Sequence, residues 1–274
     1  MLITILETCS STRLVYNLFV EYIRSEIDYF LDLDKDDEFF VQQQISEMVI
    51  WHKTNMLTSY ADYVTVIANK VKAREFRSND IKKIMSKGRF LIQASVTGIT
   101  PFAAKLLVWK QKDKEITHLE KKLELRQQKR LKELLKSEDT LFKDQLDRLT
   151  SNFERFFGSL SDAQVSLLKE YSLMTLDNRK IRLKNRTKQQ KLFMKFVKTK
   201  PNESMLTAYM NKLLLLDNTV TDLDYVSFSK HSLDQFETLL VKIMAISTIA
   251  QQNSIVVKLE KYAKDFNSIA KSGF

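Results

Sequence analysis

Four glycines and two prolines are all that punctuate 274 residues. A strand-rich chain needs Gly, Pro and Asn at its many tight turns, so this scarcity leaves long helices joined by short connections. Hydrophobic residues make up 44% of the chain, ample for a core. The expected fold is therefore all-α, an elongated multi-helix bundle of about nine or ten helices, several of them long.

From Thr12 to Phe30, Leu14, Val15, Leu18, Phe19, Tyr22, Ile23, Ile27 and Phe30 recur at helical spacing and predict an amphipathic helix. Asp34, Asp36, Asp37 and Glu38 then read as the cap and acidic first turn of a second helix, where carboxylates complement free amides. The stretch from Phe39 to Phe76 lacks Gly and Pro, which predicts a helix of roughly 38 residues with a kink near Asn55. A third helix, capped by Ser78 or Asn79, is expected to end at Gly98. Thr100 and Pro101 would open the next, which continues to about Lys136. Gly158 divides two further helices, the second opened by a capping box of Ser161 and Gln164 with Leu160 and Val165 as its staple. Ser232, Leu233, Asp234 and Gln235 repeat that pattern and predict the start of a last long helix reaching Ile269. Pro201 marks another break. Residues 10–274 read as one elongated helical domain, with a sub-division near Lys136 left open.

The residues for familiar chemistry are scarce. His52, His118 and His231 are scattered without a ligand partner three to five residues away, so no metal site is expected. The glycines do not cluster, which excludes the usual phosphate loop and dinucleotide fingerprint. Cys9 is the one cysteine; it cannot form an internal disulfide and stands ahead of the first helix, away from any His. Asp32, Asp34, Asp36 and Asp37 sit where helix capping would place them. The expectation is a protein without a catalytic constellation or a cofactor, hence not an enzyme. No run of about 18 apolar residues is present, so no membrane-spanning helix is expected.

The formal charge of +10 makes anionic partners plausible. It concentrates in "NRKIRLKNRTKQQKLFMKFVKTK", which carries ten basic residues and no acid. Lys180, Lys184, Lys188, Lys191, Lys195 and Lys198 fall on one helical face, and Leu192, Phe193, Phe196 and Val197 on another. Arg179, Arg182 and Arg186 complete the candidate anion- or partner-binding set. Like charges so dense repel, so the run invites either a compensating partner or full hydration.

Four blocks carry a family resemblance: "CSSTRLVYNLFVEYIRSEIDYFLDLD", "WHKTNMLTSYADYV", "FERFFGSLSDAQVSLLKEYS" and "NRKIRLKNR". In order and spacing they resemble the DUF6279 family of uncharacterised bacterial lipoproteins. The resemblance makes Cys9 the lipid-bearing residue and residues 1–9 the remnant of a lipoprotein signal. Tyr16, Asn17, Trp51, His52, Tyr60, Gly158, Leu160, Gln164 and Arg186 would be its pattern positions. Glu7 and Thr8 depart from the small residues expected just before such a cysteine. Ser10 after it resembles the rule for the outer membrane.

Two functions are weighed on these grounds. The first is a non-enzymatic periplasmic lipoprotein, lipid-anchored in the membrane with the outer membrane favoured. It would bind a protein, a peptide or an anionic envelope component, or act like a chaperone. The second is a cytoplasmic basic protein binding nucleic acid or acting as a scaffold. Nucleic acid is the weaker partner, because the basic run lacks interleaved Tyr or Trp for base stacking.

Overall fold

The computed structural model describes residues 11–272, with the side chains of residues 11–15 and 17 excepted. Cys9 and the segment 1–9 lie outside the described residues. Ten helices account for 84% of the structure, and the described residues contain no strand. They are α1 (Ser11–Phe30), α2 (Asp37–Lys72), α3 (Ser78–Trp109), α4 (Asp113–Leu134), α5 (Glu138–Phe157), α6 (Asp162–Met174), α7 (Asn178–Val197), α8 (Glu203–Leu214), α9 (Leu223–Ala245) and α10 (Ile249–Lys271). The all-α bundle expected from the sequence is the fold.

Its spine is the antiparallel hairpin of α2 and α3. At one end Tyr63 donates to the Ile84 carbonyl, and at the other Lys110 meets Asp37. Helix α10 lies antiparallel along α2, with Lys72 paired to Glu260 and Tyr60 against Phe266. Three apolar clusters follow this spine. One joins Ala68, Val71 and Ile81 to α5, α6, α9 and α10 through Phe153, Leu168, Ile243 and Leu259. A second packs α1 on Val41, Ile45 and Leu106. The third gathers Ala104, Ile116, Leu119, Met194, Val197 and Leu206 from α3, α4, α7 and α8.

Several predicted boundaries move. Helix α3 passes straight through Gly98, Thr100 and Pro101, although a proline inside a helix costs about 3 kcal/mol. Leu91 and Ser95 before the proline and Ala104 and Leu106 after it are all buried, so both halves are held by core packing. Thr100 turns its hydroxyl to the Val96 carbonyl at 2.7 Å. Gly98 is no cap: the Trp51 ring lies so close that a Cβ there would stand 1.8 Å from it. The helix expected from Pro101 to Lys136 is instead two, separated at Lys110–Lys112. By length and composition α3 is apolar enough to cross a membrane, contrary to expectation, and here it packs against α2, α8 and α9.

Ser232 opens no helix. It is buried within α9, and the last helix begins instead with a capping box of Thr248 and Gln251. Ser78 is a first helical residue rather than a cap, since the N-cap is Arg77. Helix α2 continues through Asn55. The reading at Gly158 and Ser161 agrees with the structure: Gly158 ends α5 at φ 76°, in the left-handed region that a glycine enters without a Cβ penalty, and Ser161 with Gln164 caps α6.

Candidate anion-binding cleft

Helices α4 and α7 run antiparallel, with Lys198 on Glu120 at one end and Gln127 bonded to Thr187 further along. Their apolar sides feed the core through Ile116 and Leu119 on α4 and Met194 and Val197 on α7. The polar sides change character along the pair. At the α7 C-terminal end, lysines face the glutamates Glu120 and Glu124 around a shallow cavity. At the α7 N-terminal end, arginines face arginines.

There, a cleft of about 510 Å³ is lined by Arg130, Arg148, Arg179, Arg182 and Arg186, with Leu134 and Leu183 as apolar wall. Three helices contribute: Arg130 comes from α4, Arg148 from α5 and the other three from α7. The acids in the lining are Glu133 and Asp144, and both are taken by Lys136, at 2.8 and 3.2 Å. No carboxylate among the described residues lies within 4.0 Å of any of the five guanidinium groups. Burial lowers the pKa of Arg179, and the neighbouring Arg148 adds to the effect while Asp144 opposes it. Its Nη2 is buried without a hydrogen-bond partner. Arg130 is lowered by burial and then by Arg186 and Arg126, against the opposing charge of Glu26. Guanidinium groups stay charged nonetheless, so the cleft holds an excess of positive charge.

The lysine face is a different case. Lys180, Lys184, Lys188, Lys191, Lys195 and Lys198 are exposed, as the helical spacing predicts. The run is partly paired: Asp177, the N-cap of α7 itself, serves Lys180, and folding brings acids from other segments to three more lysines. Lys180 pairs with Asp177, Lys188 with Asp222, Lys198 with Glu120, and Lys200 with Asp113. These lysines remain about half exposed, so solvent screens each pair and none contributes much to stability. Arg130 and Arg148 were not legible as site residues, since charged side chains on α4 and α5 look like ordinary solvated faces until the helices are packed.

The pattern positions separate into structural groups. Tyr16 OH lies 3.1 Å from His52 Nδ1, His52 Nε2 lies 3.4 Å from Tyr60 OH, and Tyr60 continues to Ser95 Oγ. Burial lowers the His52 pKa and pushes Tyr16 up to about 12, aided by Tyr60. This hydrogen-bonded chain ties α1, α2 and α3 together, with Trp51 seated on Gly98 beside it. Elsewhere, Leu160 packs on the core next to Gly158. Gln164 is fully buried and exchanges two amide hydrogen bonds with Gln251, at 3.0 and 2.8 Å, which couples the caps of α6 and α10. Arg186 alone of these positions faces the cleft. Asn17 has no described side chain.

The comparison with known families decides the family on residues 28–219, which match the family of unknown function DUF6279. The chain belongs to DUF6279. The match leaves Cys9, Tyr16 and Asn17 outside it, while the arginine cleft lies wholly within it. No curated protein and no solved structure matches the chain.

Other candidate chemistry is sparse in this member of DUF6279. Among the described residues, no three His, Cys, Asp or Glu side chains stand together as metal ligands. Asp37 is the helix-start acid expected, in the first turn of α2, and it is also buried and bonded to Lys110 Nζ at 2.7 Å and Trp109 Nε1 at 2.6 Å. Burial raises its pKa, but hydrogen bonds from Lys110, the Asp34 N–H and Trp109, together with the Lys110 charge, outweigh that and bring it to about 2. Asp37 thereby ties the start of α2 to the end of α3.

Proposed function

We propose that this DUF6279 protein is a non-enzymatic binding protein, held at a membrane through Cys9, that captures an anionic group of a protein, peptide or envelope partner in the arginine cleft. The observation that carries this reading is the set of five guanidinium groups with no carboxylate partner, while both nearby acids are engaged by Lys136. A protein gains nothing in stability from gathering like charges, so such a cluster implies a ligand that neutralises it. The lysine face, partly paired with its own acids, supports nucleic-acid tracking less well.

Thermal unfolding in the presence of sulfate, citrate and inorganic phosphate tests the cleft. Ligand binding to the folded state stabilises it, by about 2.7 kcal/mol at a concentration one hundred times Kd. The Tm of the wild type is expected to rise with these anions, and that of an Arg130→Gln, Arg148→Gln, Arg182→Gln variant to stay flat. Equal responses in the two proteins would refute the cleft as the site. The anchor is tested separately by mass spectrometry of the natively produced protein: an unmodified Cys9, or membrane association that survives Cys9→Ala, removes that part of the reading.

A further inference from the structure

Resting on the anion-binding reading, we propose that the cleft is a site for a phosphate monoester in its doubly charged form, carried on an organic group that lies against Leu134 and Leu183. A carboxylate offers two oxygens and one charge, enough for one or two guanidinium forks. Five arginines from α4, α5 and α7 line the cleft, with the Arg182 guanidinium also lying 5.9 Å from the centre of the Phe228 ring. A phosphate monoester presents three terminal oxygens and a charge of about −1.5 to −2 at neutral pH, which matches several bidentate arginines at once. Lysine would serve as a point charge, whereas the cleft is lined by arginine, whose planar fork fits pairs of phosphate oxygens.

Charge and size point the same way. Five arginines and Lys136 face two carboxylates, so four positive charges are unmatched, more than a singly charged ligand neutralises. The volume of about 510 Å³ lies within the range of small-molecule sites and exceeds what a bare phosphate needs, given that a water takes only about 30 Å³. Leu134 and Leu183 supply an apolar wall for the remainder of the ligand. Arg179, one of the lining residues, also has its Nη2 buried without a hydrogen-bond partner, a donor whose desolvation no protein acceptor offsets.

Calorimetric titration of the full chain with phenyl phosphate, phenyl sulfate and phthalate tests the assignment. Phenyl phosphate is expected to bind at least about tenfold more tightly than phenyl sulfate, its singly charged counterpart of like shape. Its affinity should fall by roughly tenfold between pH 7.5 and pH 5, because the monoester takes up a proton near pH 6. Arg179→Lys should lower it about tenfold or more at unchanged Tm. Should that variant fail to fold, Arg182→Gln, on an exposed side chain, replaces it with the same expectation. Vesicles containing phosphatidic acid, set against phosphatidylglycerol, distinguish the source. Selective binding to the former assigns a lipid headgroup, and binding of phenyl phosphate with neither vesicle assigns a soluble ester. Equal binding of sulfate and phosphate without pH dependence would overturn the phosphate assignment and leave the anion-binding reading standing. If none of the three compounds binds, both fall.

Discussion

Two clusters of charge in this molecule are built from similar parts and end in opposite states. Around Lys110, the side chains of Lys110, Asp37 and Glu115 are only 4%, 7% and 3% exposed, and every charge has its counterpart within 3.2 Å. The Trp109 indole and the Asp34 N–H complete the shell of Asp37, and the Lys112 N–H completes that of Glu115. The cluster fastens the start of α2, the end of α3 and the start of α4. In the arginine cleft the cations are more open, Arg179 stands by Arg148 and Arg130 by Arg186, and the two acids in the lining are paired with Lys136. Folding has finished the first cluster. On the proposed reading, a ligand would complete the second.

If that contrast is right, Lys110→Met should be the most damaging change to either cluster. It strands two buried carboxylates, and loss of one partner from a buried ion pair costs about 3–5 kcal/mol, measurable by urea unfolding. A loss below about 1 kcal/mol would show that water reaches the site and would break the distinction.

Acid provides the next test. Asp37 titrates near 2 in the folded protein, below the usual carboxylate value. Its contribution, about 2 kcal/mol, is therefore present above the unfolded value near 4 and is lost as pH falls through about 2. Lys110 is raised by Asp37 and Glu115 against the effect of burial, so its share persists below its unfolded value and is lost only as pH rises through the folded one. Unfolding followed against pH should reproduce the acid limb in the wild type and lose it in Asp37→Asn.

Smaller effects sharpen the other side. Lys136→Met frees Glu133 and Asp144 to turn toward the arginines. Stability by equilibrium unfolding should be nearly unchanged, while affinity for phenyl phosphate falls severalfold. Arg179→Met removes an arginine that has no carboxylate partner. It should leave stability within about 0.5 kcal/mol of wild type, or raise it slightly, by equilibrium unfolding. A cost comparable to that of Lys110→Met would make Arg179 a structural residue and erase the comparison.

How far the sequence could be read depended on the range of the signal. The Ser161 and Gln164 box was legible because capping acts within one turn. That Gln164 also bonds Gln251 was not, since the partner lies 87 residues away. Ser232 with Gln235 carries the same local pattern as Ser161 with Gln164, yet α9 runs through it because Ser232, Leu239 and Ile243 are buried on a continuous face. Pro101 shows the same precedence, with core contacts on both sides outweighing a local preference of about 3 kcal/mol.

What the sequence by itself determined is the helical class, the break at Gly158, the face of lysines on α7 and the want of a metal or nucleotide motif. Scarcity of Gly and Pro, periodicity and charge spacing are properties of neighbouring residues, so they survive without knowledge of the fold. Only the tertiary structure decided that several of those lysines would find acids, and that Arg130 and Arg148 would join Arg179, Arg182 and Arg186 around one cleft. Electrostatic partners are set by distance in space, and the antiparallel packing of α4 on α7 brings together charges that the chain keeps about 50 residues apart.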